Sequence, residues 1–98
     1  MLKLQRRKQE IESYSLRERE KKVLEQMYFL SGKGDGDLYM PGFVHAASKR
    51  LGYSVVDVEK TIKVLEELNL ISENLNNRQK LNERGRNYVS LHSKRGLS

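Results

Sequence analysis

Residues 43–71 read FVHAASKRLGYSVVDVEKTIKVLEELNLI, and the first part of this stretch has the apolar spacing of a short helix. The apolar positions are Phe43, Val44, Ala46, Ala47 and Leu51. Pro41 suits the first turn of a helix, because its missing amide hydrogen is not needed there. Gly52 suits the left-handed position after a helix end. This part of the stretch predicts a helix over residues 41–51.

The second part of the stretch has the signals of a longer helix. One line of that helix carries Val58, Ile62 and Leu65. Ser54 can cap its amino end, and Asp57 places a carboxylate near the positive end of the helix dipole. Asn69 is the non-glycine residue type best able to take the left-handed conformation at the carboxyl end. We predict a helix over residues 55–68.

Before this region, Ser15 and Glu18 match the S-x-x-E capping box. The apolar spacing behind them predicts a first core helix over residues 16–31. Tyr28 and Phe29 widen its apolar face, and we expect both rings to fill the core.

The remaining segments have turn and strand signals. Three glycines within residues 31–37 predict a loop, because glycine destabilises regular structure. Residues 38–40 are expected to be extended. Farther on, the pattern predicts a hairpin with strands 70–75 and 78–81, joined by a turn at Asn76-Asn77.

Asn82 can cap a last helix over residues 83–92. The order of elements predicts a mainly α fold with a small β-hairpin, which is an α+β class. Ninety-eight residues allow one domain with short arms. We assign residues 1–14 to a basic arm or helix, 15–92 to the domain and 93–98 to a frayed tail.

The composition restricts the functional classes. The formal charge is +6, and the basic excess lies in the two ends of the chain around a slightly acidic middle. A polyanionic partner is the natural interpretation, although basic ends can also simply keep a small domain soluble. The absence of cysteine excludes disulfides, thiolate metal sites and cysteine nucleophiles. The apolar runs are too short to span a bilayer, and the charged first residues do not resemble a secretory signal, so we expect a cytoplasmic protein.

Three motifs occur in a characteristic order at residues 43–54, 58–71 and 81–88. The first is similar to the first helix and turn of bacterial and archaeal helix-turn-helix domains, with small Ala47 where the helices cross. The second, VEKTIKVLEELNLI, looks like a recognition helix that runs into a wing. The third, LNERGRNY, resembles the Leu-Thr-x-x-Gly-Arg end of the wing in MarR- and PadR-type regulators. The resemblance covers residues 16–92 and implies a winged helix-turn-helix, with a three-helix core, a wing and terminal helices.

The resemblance also implies a function, which is sequence-specific binding of double-stranded DNA by a small transcriptional regulator. Helix 55–68 would lie in the major groove, and the wing at residues 70–82 would lie on the backbone. The candidate DNA-binding residues are Lys49, Arg50, Ser54, Val56, Lys60, Lys63, Arg78 and Lys80. The two lysines of the helix can reach a guanine edge or a phosphate, and Val56 can pack on a thymine methyl. Arg78 and Lys80, two residues apart, share one face of a strand.

Other interpretations of these residues remain open. The outer face of helix 55–68 can be an ordinary solvated surface, and an exposed pair of Val56 and Val64 can mark a protein contact. The alternative function is therefore an interaction module within a larger complex. Single-stranded nucleic acid is a more distant alternative, because the sequence identifies no exposed aromatic platform.

No enzyme, cofactor, metal or small-molecule function is indicated. His45 and His92 have no third ligand at suitable spacing, and no motif activates a nucleophile. Such regulators commonly dimerise through helices outside the wing, so we expect a homodimer formed by the N- and C-terminal helices. The apolar residues of the arm that would gain burial are Leu2, Leu4, Ile11 and Tyr14.

Overall fold

The computed structural model describes residues 16–97, with side chains up to residue 91. Within this range the fold is mainly helical, with one small antiparallel sheet of two strands. The elements are α1 (Glu18–Leu30), β1 (Leu38–Tyr39), α2 (Met40–Leu51), α3 (Val55–Glu67), β2 (Arg78–Gln79) and α4 (Glu83–Leu97). The predicted α+β class is confirmed at this level. The predicted arm over residues 1–14 lies outside the described residues.

The predicted central helices α2 and α3 are confirmed, together with the residues that begin and end them. Pro41 lies in the first turn of α2, and Gly52 ends that helix with a φ of 77°. The Ser54 hydroxyl accepts a hydrogen bond from the Asp57 amide at 3.1 Å, so Ser54 caps α3. Asn69 follows the end of α3 with a φ of 63°, as its residue type predicts.

The start of α1 differs from the prediction. The helix begins at Glu18, and its cap residue is Arg17, whose amide donates to the Glu20 carboxylate at 3.2 Å. The Ser15 capping box is therefore wrong, and Ser15 itself lies outside the described residues. Arg17 has an extended backbone, with φ −65° and ψ 157°, so the helix cannot begin before Glu18. Just before it, the buried Leu16 donates its amide hydrogen to the Tyr88 hydroxyl at 2.9 Å. This bond ties the chain to α4 just before the helix starts.

The core lies where α1 packs against the other three helices. Its fully buried side chains come from every helix and from the segment around the sheet. They include Val23, Leu24, Met27, Ala47, Val58, Leu65, Leu70, Leu81 and Val89. Burial of a large aliphatic side chain contributes roughly 1.5–3 kcal/mol, whereas a helix cap contributes about 1 kcal/mol. Packing of these faces is therefore the main source of stability.

Phe29 is not in the core, contrary to the prediction, because 48% of it is exposed. Met27 is buried, and a residue two positions farther along a helix is rotated by about 200°. Phe29 therefore points away from the packed face. Tyr28 is half-buried against the core, and its ring meets Phe29 edge to face with centroids 5.5 Å apart.

The predicted hairpin is confirmed at its turn but not along its first strand. Asn76 and Asn77 have φ values of 54° and 64°, the left-handed region that a two-residue type I′ turn requires. In place of a regular strand over residues 70–75, the structure has two isolated bridges, Ile71 to Leu81 and Leu75 to Arg78. Between these bridges, residues 72–74 on one side lie opposite residues 79–80 on the other, so a bulge interrupts the ladder.

The regular partner of β2 is β1. The sequence predicts residues 38–40 as extended but not this pairing, and Met40 belongs to α2 instead. The two strands are antiparallel, with Leu38 opposite Gln79 and Tyr39 opposite Arg78. The Met40 amide also donates to the Asn77 carbonyl oxygen at 2.7 Å, which brings the start of α2 to the turn of the hairpin. The returning strand, predicted over residues 78–81, is regular only at its first two residues.

The last helix begins where predicted. The Asn82 side chain accepts a hydrogen bond from the Gly85 amide at 3.1 Å, which is the capping contact. Gly85 is required by packing, because an added Cβ would lie 2.1 Å from the Leu70 carbonyl oxygen. The helix continues to Leu97, past the predicted end at residue 92, so residues 93–97 of the predicted tail have a helical backbone. Residue 98 lies outside the described range.

Candidate nucleic-acid interface

Helix α3 has one buried and one exposed face, as its sequence predicts. Val58, Ile62 and Leu65 are buried in the core. The exposed face carries Val56, Lys60, Lys63 and Glu67, whose spacing of four, three and four residues keeps them on one side of the helix. Val64, which the sequence pairs with Val56 on the surface, is half-buried against the core. Val56 alone remains the large apolar residue of this face, at 56% exposure.

The amino end of α3 is organised by two contacts. The Ser54 hydroxyl oxygen is occupied as acceptor by the Asp57 amide, which leaves its own hydrogen available to a ligand. The Asp57 carboxylate lies 3.6 Å from the Arg19 guanidinium of α1, and both side chains are well exposed. Arg19 therefore adds a cation beside the first turn of α3. Sequence reasoning missed it, because only tertiary packing brings α1 to this position.

The charge of α3 itself is mixed. Its two lysines are accompanied by four carboxylates, Asp57, Glu59, Glu66 and Glu67. Lys63 in particular has Glu59 four residues before it and Glu67 four residues after it, positions that are neighbours on a helix surface. The positive potential of the exposed face is therefore reduced, and any polyanion bound there depends on cations from adjacent elements.

A groove of about 450 Å³ runs beside α3, between that helix, the start of α2 and the hairpin turn. The α2 and hairpin residues that line it are Met40, Pro41, Val44, Asn74, Asn77 and Gln79. The α3 residues that line the groove are Ile62 and three charged residues, Glu59, Lys63 and Glu66. The groove thus brings Lys63 next to the hairpin turn, but neither Arg78 nor Lys80 lines it.

The two faces of the β1–β2 sheet are different. Gln79 is 2% exposed, and its amide donates to the Ser72 carbonyl oxygen at 2.8 Å and more weakly to Glu66 at 3.4 Å. Arg78 and Lys80, on either side of it, are exposed. Because side chains alternate along a strand, these two cations share the face opposite to Gln79, as predicted. The structure therefore brings Arg78 and Lys80 together, but on the side of the hairpin that faces away from Lys63.

Sequence reasoning missed Tyr39, which lies on the same outer face. It is 54% exposed and directly opposite Arg78, whose guanidinium carbon is 5.8 Å from the centroid of the tyrosine ring. This is a cation–π contact. The alternation of Leu38 and Tyr39 was too short a signal to assign either residue to a face.

Lys49 and Arg50 are exposed in the last turn of α2. The turn after them is fixed by the Ser48 hydroxyl, which donates to the Tyr53 carbonyl oxygen at 2.6 Å. Both cations also lie near the negative end of the α2 dipole, where they stabilise the helix without any ligand. Their position is thus compatible with a structural role and with a polyanion contact.

His45 is exposed, and among residues 16–91 no three histidine or acidic side chains are grouped closely enough to hold a metal ion. None of the described helices is long and apolar enough to cross a membrane.

No protein-family model, curated protein or solved structure matches the chain.

Proposed function

We propose that the protein is a winged helix-turn-helix domain that binds double-stranded DNA, as a small regulator similar to the MarR and PadR types. The observation that carries the proposal is the outward face of α3, with Lys60 and Lys63 exposed on a helix whose other face is buried. The order of elements also supports it, because a short turn joins α2 to α3 and the hairpin then returns to pair with β1. In cells, such a regulator acts in the cytoplasm.

In this proposal the first half of α3 lies in the major groove. Lys60 and Lys63 reach a guanine edge or a phosphate, and Val56 packs on a thymine methyl. Ser54 donates its free hydroxyl hydrogen to a phosphate oxygen. Arg19 faces the backbone beside the first turn, where its charge offsets that of Asp57.

The remaining candidate cations contact phosphates beyond the major groove that holds α3. Lys49 and Arg50 extend from the end of α2, and Arg78 and Lys80 extend from the hairpin. Such contacts position the protein without reading the sequence, and each makes the affinity more sensitive to salt.

We also propose that the regulator is a homodimer. Leu91 of α4 is 69% exposed, and Phe29 and Leu30 leave apolar surface at the end of α1. The apolar residues of the predicted arm lie outside the described residues. We expect sedimentation at micromolar concentration to show twice the chain mass. A single species of 11.5 kDa would remove the dimer from the proposal.

A second function is favoured by the four carboxylates of α3 and by the exposed Val56. An acidic and partly apolar helix face suits a protein partner better than a polyanion. On this alternative the same fold serves as an interaction module, and its DNA affinity is negligible.

The experiment that separates the two functions is a titration of fluorescent random duplex DNA, followed by anisotropy at about 50 and 200 mM salt. Loss of two phosphate or base contacts in Lys60→Ala/Lys63→Ala should weaken binding by about tenfold or more. The matched control is Lys22→Ala/Lys33→Asn, which removes the same charge from α1 and from the loop after it. Asparagine is used at Lys33 because that residue has a φ of 64°.

The DNA proposal requires that binding weakens with salt and that the α3 variant loses much more affinity than the control. Equal losses in the two variants would mean that only net charge matters. Negligible binding by the unaltered chain at low salt would favour the interaction module.

A further inference from the structure

We propose that the outer face of the β1–β2 sheet binds an unpaired nucleic-acid strand, with a base stacked on Tyr39 and phosphates held by Arg78 and Lys80. This site lies outside the face of α3 proposed for duplex DNA, although it shares Arg78 and Lys80 with the backbone contacts of that proposal. The inference goes beyond the proposed function and depends on Tyr39, which has no role in that function.

The site is a row of three side chains across the hairpin and β1. Tyr39 is opposite Arg78 in the antiparallel register, and Arg78 is in turn bridged to Leu75. The backbones of Leu75 and Arg78 exchange two hydrogen bonds, at 3.0 and 3.1 Å. Directly opposed residues of antiparallel strands project from the same face, so these three side chains lie side by side.

The row is exposed although two of its members are large and apolar. Tyr39 is 54% exposed and Leu75 is 65% exposed. The hairpin turn fixes this arrangement, because the left-handed conformations of Asn76 and Asn77 set the register between Leu75 and Arg78. The fold therefore presents a fixed aromatic and apolar surface to solvent.

The chemistry of the row suits a nucleobase. Bases stack on tyrosine rings and on the planar guanidinium of arginine, and here the two groups are neighbours, with 5.8 Å between the guanidinium carbon of Arg78 and the ring centroid of Tyr39. A base can stack on the exposed part of this pair, and Leu75 extends the apolar edge. In duplex DNA the bases are already stacked on each other, so the matching ligand is an unpaired strand.

The charge on the same face of the sheet also favours a nucleic-acid strand. Lys80 projects from this face with Arg78, because the intervening Gln79 is turned inward to Ser72. Arg78 and Lys80 give this face two cations, and the exposed Asp37, which continues the register opposite Lys80, offsets part of their charge. The row is thus complementary to a polyanion that also offers flat apolar groups.

The test measures binding of the full chain to a fluorescent oligo(dT) of about 12 nucleotides, a length typical of single-strand sites. Tyr39→Ala should weaken this binding about five- to tenfold, because it removes the stacking surface. Tyr39→Phe keeps the ring and should bind within about twofold of the unaltered chain. Circular dichroism of each variant verifies that the fold is retained.

A second variant reports contact directly. The chain contains no tryptophan, so Tyr39→Trp gives a single indole reporter at the site. Stacking predicts that oligo(dT) quenches its emission strongly, whereas saturating duplex DNA leaves most of the emission. Unchanged emission with saturating oligo(dT), or equal oligo(dT) affinity of the unaltered and Tyr39→Ala chains, would overturn the proposal. Absence of oligo(dT) binding by the unaltered chain would also overturn it and would leave the row as a protein contact.

The same variants separate this inference from the duplex proposal. Tyr39→Ala should leave duplex affinity within about twofold, and Lys60→Ala/Lys63→Ala should lower duplex affinity far more than oligo(dT) affinity. Failure of duplex binding with retained, Tyr39-dependent oligo(dT) binding would refute the function of α3 alone. The reverse result would refute the sheet site alone.

Discussion

The side-chain amide of Asn82 donates a hydrogen bond to the carbonyl oxygen of Asn69, with 2.7 Å between nitrogen and oxygen. The oxygen of the same amide accepts from the Gly85 backbone at 3.1 Å. One side chain thus joins the left-handed residue after α3 to the first turn of α4. The hairpin lies between these two points, so this contact closes its base.

Replacement of Asn82 by alanine should therefore destabilise the whole domain. The variant loses a helix cap and a hydrogen bond to Asn69, and we expect a loss of about 1–2 kcal/mol in the free energy of unfolding. Urea unfolding followed by circular dichroism measures this difference. Asn82→Asp retains the capping acceptor and should lose less. An unfolding midpoint of Asn82→Ala equal to that of the unaltered chain would contradict this role.

For the substitution Gly85→Ala, packing predicts a loss of stability, whereas helix propensity predicts a gain. Propensity alone predicts that alanine within α4 is stabilising by about 1 kcal/mol. The new Cβ would lie 2.1 Å from the backbone oxygen of Leu70, so α4 or the segment after α3 must shift. We expect Gly85→Ala to lower the unfolding free energy by at least about 1 kcal/mol.

The matched control for this variant is Gly42→Ala in α2. There the added Cβ meets only the Tyr39 ring edge, at an ordinary 3.6 Å. This variant should have unchanged or slightly higher stability. If both substitutions have the same effect in thermal unfolding, the close approach of Gly85 to Leu70 is not a determinant of stability.

The hairpin turn provides the third prediction. Asn77 has a φ of 64°, which glycine adopts more easily and a β-branched residue strongly resists. Asn77→Gly should have unchanged or slightly higher stability, whereas Asn77→Val should lose roughly 1–2 kcal/mol. Chemical denaturation of the two variants measures the difference. Equal stabilities would mean that the turn does not control the register of Leu75 and Arg78.

The parts of the fold that the sequence predicts well are those with local causes. Pro41, Gly52, Ser54 and Asn69 act through their own backbone preferences, and each begins or ends a helix as expected. The exposed face of α3 follows from helical periodicity in the same way. These signals need no knowledge of the rest of the chain.

The parts that the sequence does not predict depend on distant contacts. The β1–β2 pairing joins two strands of two residues each, which is too short for any periodic pattern. The row of Tyr39, Arg78 and Leu75 cannot be predicted without that pairing, because only the pairing places Tyr39 next to the other two residues. The bond between the Leu16 amide and the Tyr88 hydroxyl, just before α1, is another such distant contact.

We propose that duplex DNA docks on the exposed face of α3, and backbone amide NMR of the full chain tests this docking most directly. Titration with random duplex DNA is predicted to shift the amide resonances of Val56, Lys60 and Lys63, together with those of residues 49–54. The resonances of buried core residues should move little. Shifts confined to α1 and α4, or no shifts at concentrations where anisotropy reports binding, would contradict the claim.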